Sequence, residues 1–143
     1  MNCSKLKLTL GLIAATLLLA GATNAVRADD TDTNLVGEAS SQEKTFASEL
    51  MQSTKDEDYK AFLANGDKGF HSIKEKMFKS VCGQITPRLK KGYHVVFLGG
   101  FKQEGSHVTL WKIAYDDGGD EDLLHLSVKA DKINGALITA AFQ

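Results

Sequence analysis

The stretch Ile85-Thr86-Pro87-Arg88-Leu89-Lys90-Lys91-Gly92-Tyr93-His94-Val95-Val96-Phe97 is where the chain changes rhythm. Before Gly92, apolar residues recur at helical spacing behind helix-start signals. After it come four strand-like segments joined by short polar turns. Helical segments followed by a run of hairpin-linked strands predict an α+β domain with N-terminal helices packed on a curved four-stranded antiparallel sheet.

Upstream of that junction, three helix starts carry a Ser or Thr followed three residues later by Glu: Ser40 with Glu43, Thr54 with Glu57, and Ser72 with Glu75. In such a box the hydroxyl accepts from an orphan backbone N–H and the Glu reaches back to the cap. The first helix is expected to bury Phe46, Leu50 and Met51. The second is expected to bury Tyr59, Phe62 and Leu63 before Asn65-Gly66 stops it. In the third, Ile73, Met77, Phe78, Val81, Cys82 and Ile85 form the apolar face, and Lys74, Glu75, Lys76 and Lys79 take the wet side. Thr86-Pro87 is expected to end this helix or restart a short turn, with Gly92 closing it.

Downstream, Glu104-Gly105 separates a strand at 93–101 from one at 106–115. The acidic run 116–122 leads to a third strand at 123–130, and Asp131-Lys132 starts the return through 133–142. Centring the second connection on Gly118-Gly119 sets Trp111 opposite Leu126 and Ile113 opposite Leu124. Trp111, Ile113, Tyr115, Leu124, Leu126 and Val128 then share one face. Val108, Leu110, Ala114, Leu123 and Ile138 share the other, with Lys112 and His125 between them. An antiparallel sheet with one face in water alternates more cleanly than this. The face bearing Val108, Leu110, Lys112, Leu123 and His125 is therefore the candidate interface of a homodimer, or the surface for a ligand.

The start of the chain reads as an export leader: Lys5 and Lys7 precede the apolar run 8–19, and small residues follow at Ala20, Gly21, Ala22 and Ala25. A spanning helix needs about 20 predominantly apolar residues, and this run breaks up before that length. The expected organisation is a signal peptide at 1–28, cleaved after Ala25 or Ala28, then a flexible tether at 29–41 and a single α+β domain at 42–143. The expected location is secreted or periplasmic, with no membrane span after cleavage. Cys3 lies ahead of the apolar run, where it is badly placed to carry a lipid. Cleavage leaves Cys82 alone, so no internal disulfide forms, and its helical neighbours predict a packed, inert thiol. The full chain carries a formal charge of −1, and the leader holds Lys5, Lys7 and Arg27 without an acid, so the mature domain is more acidic still. Interspersed charges of this sign argue against nucleic acid as a partner.

Along the chain, Asp58-Tyr59-Lys60-Ala61-Phe62 on the second helix, then Phe78, Val81, Ile85 and Leu89, precede Phe97-Leu98-Gly99, Leu110-Trp111-Lys112, an acidic hairpin and Lys132-Ile133-Asn134-Gly135. Over roughly 45–138 this series resembles the nuclear-transport-factor-2-like domains, the cone-shaped relatives of cystatin-like folds, in the form found in small exported bacterial proteins of unknown function. The resemblance implies helices closing a curved sheet into a cone, and paired sheets. One departure is a loop at 66–70, where the family has a short strand between the second and third helices. Kinship with cystatin-type inhibitors is weaker, because the "Gln-x-Val-x-Gly" loop is absent and the first half has more than one helix.

The family's members include isomerases, dehydratases and protein-binding subunits, so fold alone selects no chemistry. Catalytic members use an Asp with Tyr, or His with Asp, inside the cone. Here Tyr59, His94 and Tyr115 are the polar groups expected to reach such a cavity, and Trp111 joins them as a candidate ligand-binding residue. No strand-borne Asp is expected to point inward beside them, so no catalytic residue is assigned. The acidic run lacks the order of a calcium loop. His94, His107 and His125 sit on different strands, with His107 on the Trp111 face and His125 on the other, so neither a metal nor a cofactor is assigned. The expectation is an exported non-catalytic binding module for a small ligand or an exported protein partner. The alternatives are a small-molecule isomerase or hydrolase of the same fold, and an inhibitor or accessory subunit of an exported enzyme.

Overall fold

Ser40 and Glu43 form the capping box the sequence announces: Glu43 N–H donates to the Ser40 hydroxyl at 3.2 Å, and the Glu43 carboxylate accepts from Ser40 N–H at 2.8 Å. From this cap helix α1 runs Ser41–Lys55. The computed structural model describes residues 37–139, so the expected leader and all but the end of the expected tether lie outside the described residues. Packed structure already starts at the buried Ala39, within the stretch assigned to that tether. Helix α2 spans Tyr59–Leu63, a 3-10 turn spans Phe70–Ser72, and helix α3 spans Glu75–Leu89. Strands β1 (Tyr93–Gln103), β2 (Ser106–Tyr115), β3 (Asp122–Lys129) and β4 (Lys132–Thr139) follow. They pair in sequence order as one open, curved antiparallel sheet against which the helices pack.

The other two expected caps are absent. Thr54 lies inside α1, where its hydroxyl donates to the Leu50 carbonyl at 2.7 Å. Asp58 caps α2 instead, accepting from Ala61 N–H at 2.9 Å. Ser72 belongs to the 3-10 turn, and α3 begins after Lys74 without a side-chain cap. Pro87 is likewise inside α3 and does not end it. Proline at that position removes an N–H from the ladder, but tertiary contacts hold the last turn. Leu89 is fully buried, and the buried Thr86 hydroxyl donates to the Thr54 carbonyl of α1 at 2.8 Å. Gly92 then turns the chain at φ +125°, against Asp116, where a side chain would collide with the carboxylate.

Helix α1 buries Phe46, Leu50 and Met51 as expected, and α3 buries Phe78, Cys82, Ile85 and Leu89. Tyr59, Phe62 and Leu63 are only half-buried, and Met77 is 63% exposed at the edge of the helical layer. Hairpin tips at Glu104-Gly105 and Ala130-Asp131 have positive φ at both central residues, the geometry that suits two-residue connections between twisted strands. Between β2 and β3 the register differs from expectation by two: Trp111 pairs with Leu124 and Ile113 with Asp122. Because side chains alternate with period two, this shift leaves every β2 and β3 residue on its expected face. Ile138 is the exception on β4. It pairs with Leu124 and packs on the core side, while Leu137, opposite His125, takes the outer side. The loop at 66–70 makes a single parallel bridge from Gly66 to Ile133.

Candidate functional site

The sheet has an inner face, under the helices, and an outer face that no described element covers. On the outer face the register aligns three rows: Val96, Lys112 and Leu123; then Leu110, His125 and Leu137; then Phe101, Val108 and Ser127. Val96, Leu98, Phe101, Leu123 and Leu137 are exposed, with Leu137 at 58%, whereas Val108, Leu110, Lys112, Ala114 and His125 are half-buried by their own neighbours. Leu98 is the extra residue of a bulge between Phe97 and Gly99. Lys112 reaches Glu121 at 3.0 Å along the rim. Contiguous apolar surface framed by such polar groups is the usual mark of an interaction site.

The four candidate ligand residues do not meet at one point. Trp111 is buried beneath α1, its Nε1 donating to the Thr109 hydroxyl at 2.9 Å and its ring meeting Phe97 edge-on at 5.1 Å. Tyr115 shares that inner face. His94 is on the outer side of β1, largely exposed, with its Nε2 3.3 Å from Asp116. Tyr59, on α2, donates to the Ile73 carbonyl at 2.5 Å and meets the Phe78 ring at a 45° tilt. His94 and Trp111 do border one open groove beside β1, and Tyr59 borders a separate depression.

Two polar constellations were not apparent in the sequence. In the first, Arg88 lies 3.7 Å over the Tyr115 ring, grips the Asp117 carboxylate with two N–H groups at 3.0 and 3.1 Å, and donates to the Asp120 carbonyl at 2.6 Å. These bonds, aided by Gly119 N–H, hold the Asp117 carboxyl down at about 2. Tyr115 donates to the buried Asp122 at 2.6 Å. Burial and that carboxylate push the Tyr115 phenol well above its ordinary value. Contrary to expectation, an inward acid therefore does stand beside Tyr115, at the first residue of β3, where the acidic run 116–122 ends.

In the second, the Glu43 carboxylate contacts His107 Nδ1 as well as the α1 cap. Burial pushes the Glu43 carboxyl up, but the Ser40 N–H, His107 and the Ser40 hydroxyl outweigh it and hold the group below the ordinary range. The pair walls an open cleft of about 890 Å³. His107 Nε2, however, is buried and makes no hydrogen bond among the described residues, so the nitrogen a base would use faces protein rather than the cleft. No three His, Cys, Asp or Glu side chains converge on one point among the described residues, and no described helix is long and apolar enough to cross a membrane. Comparison with known proteins returned no matching family model, no similar curated protein and no similar solved structure.

Proposed function

We propose that this chain is an exported, non-catalytic binding module of the cone-shaped α+β type that acts through its sheet, pairing with a second copy across the outer face. The observation that carries this reading is the contrast between a filled inner face and an apolar outer one. Trp111, Ile113, Leu124 and Leu126 are buried under α1 and α3, the larger groove that reaches Trp111 beside β1 is open to solvent, and the apolar pocket between the helices and β4 measures only about 140 Å³. That is below the few hundred Å³ typical of small-molecule sites. Self-association suits the outer face because one patch serves both partners of a two-fold dimer. Light scattering tests it: the purified protein should be a dimer, and Leu110→Asp a folded monomer. A wild-type monomer at high concentration overturns the pairing.

The enzyme reading has one observation in its favour, the acid Asp122 beside Tyr115. Their hydrogen bond to each other, and the Arg88 guanidinium over the ring, account for both groups as a structural clasp between α3 and the β2–β3 hairpin.

A further inference from the structure

We infer that the free edge of β1 is a second docking site, which takes an extended, acidic peptide segment of another protein as a fifth strand. The inference rests on the binding-module reading and names the form its partner takes.

The two edges of the sheet are not equivalent. On β4, Ile133 N–H donates to the Asn65 carbonyl and the Ile133 carbonyl accepts from Asp67 N–H, so the loop at 65–67 occupies that edge at its start. Along β1, no described segment pairs with the edge facing away from β2 between Tyr93 and the bulge that follows Phe97. Proteins usually blunt a free edge with Lys, Pro or an early bulge. Tyr93-His94-Val95-Val96-Phe97 has neither Lys nor Pro, and its bulge comes only at the end. Five residues at about 3.3 Å each give roughly 16 Å of regular backbone whose outer edge no described segment pairs.

An open groove of about 610 Å³ runs beside this edge, between β1 and α1. Ala47 and Ser48 keep its helical bank low, and Val95, Phe97 and Trp111 make its apolar wall. Tyr93, Val95 and Phe97 point to the groove side, while His94 and Val96 point outward, as their cross-strand partners require. An added strand would thus send alternate side chains into the groove, with backbone bonds supplying affinity and the groove supplying specificity. Among the described residues Lys44 is the charged side chain in its lining, which holds no Asp or Glu, while His94 points outward to Asp116. That sign favours a segment carrying a carboxylate among its apolar residues.

The test is selection of a displayed library of random heptapeptides against the immobilised protein, with amide chemical shifts used to map the best synthetic binder. The expected binder alternates apolar residues, includes Asp or Glu, shifts the amides of residues 93–97, and still binds Leu110→Asp. Methylating its edge-facing amide nitrogens should weaken it about tenfold or more, the scale of losing one or two backbone hydrogen bonds. Ser48→Trp, on the exposed helix surface, should block it without lowering the melting temperature. The inference is overturned if no saturable binder emerges, if the methylated peptide binds equally well, or if the shifts fall only on β3 and β4. It is also overturned if diluting the protein alone moves the 93–97 amides, since a second copy would then occupy the edge. Each of these results leaves outer-face pairing through Leu110 to its own test.

Discussion

Adjacent residues of β2 and β3 meet opposite surroundings. Trp111, Ile113, Leu124 and Leu126 are almost wholly buried beneath α1 and α3, while Leu110, Leu123 and their β4 neighbour Leu137 face outward with no described element over them. Both sets are apolar, but only the inner set is required by the packing of helices on a sheet. A sheet whose second face met only water would alternate to polar residues there. In the proposed reading the outer leucines belong to an interaction, and the fold can tolerate their loss.

The contrast is sharpened most by its largest expected effect. Trp111→Ala should destabilise the domain by about 3–5 kcal/mol, the usual cost of deleting a buried aromatic. Denaturant unfolding measures it, and a loss under about 1 kcal/mol, the range of surface substitutions, would place Trp111 outside the core. Next, Arg88→Met removes the clasp on the hairpin while keeping the side-chain stem over Tyr115. It should lower the denaturant midpoint, because Asp117 and the buried Asp122 lose a charged partner, and chemical shifts should move along residues 116–122. If only α3 responds, the hairpin is held by something else.

The start of α1 contributes a pH-dependent part of the inner-face stability. Glu43 has a folded pKa below its unfolded value, so its stabilisation is full above the ordinary Glu value of about 4.3 and is lost as pH falls through the lower folded value. Denaturation midpoints measured from pH 6 downward (about the range where carboxylates titrate) should therefore fall more steeply for the native protein than for Glu43→Gln. Parallel curves would remove the Glu43–His107 contact from the stability of this end of the sheet. The smallest expected effect is on the outer face, where Leu110→Asp should change monomer stability by less than about 1 kcal/mol. A loss as large as that of Trp111→Ala would show that the outer face is also structural.

Much of this layout was legible from periodicity and turns. Glu104-Gly105 announced the first hairpin, and alternation assigned β2 and β3 to their faces. It did so even though the acidic connection was centred one residue too far along, because a shift of two conserves side-chain direction. Local signals failed where tertiary contacts outweighed them. Thr54 and Ser72 resemble caps, but Thr54 is held inside α1 by Leu50 and Thr86, and Pro87 stays helical because Leu89 and Thr86 anchor the turn around it. The contacts of Arg88 with Asp117 and of Glu43 with His107 join residues distant in sequence. Neither spacing nor composition encodes such pairs. Glu43 was visible as a cap and His107 as an inner-face residue, but not their meeting.

The outer face itself is tested most directly by its accessibility as a function of protein concentration. Cys82 is buried, and burial raises its thiol pKa, so the native thiol reacts slowly and a cysteine introduced at Leu137 can be followed against that background. In Leu137→Cys, labelling by a thiol reagent should be fast in dilute protein and slow by about tenfold or more once the dimer forms, as mass action requires. In Leu110→Asp, Leu137→Cys it should stay fast throughout. A rate for the single variant that does not change with protein concentration would contradict pairing through this face.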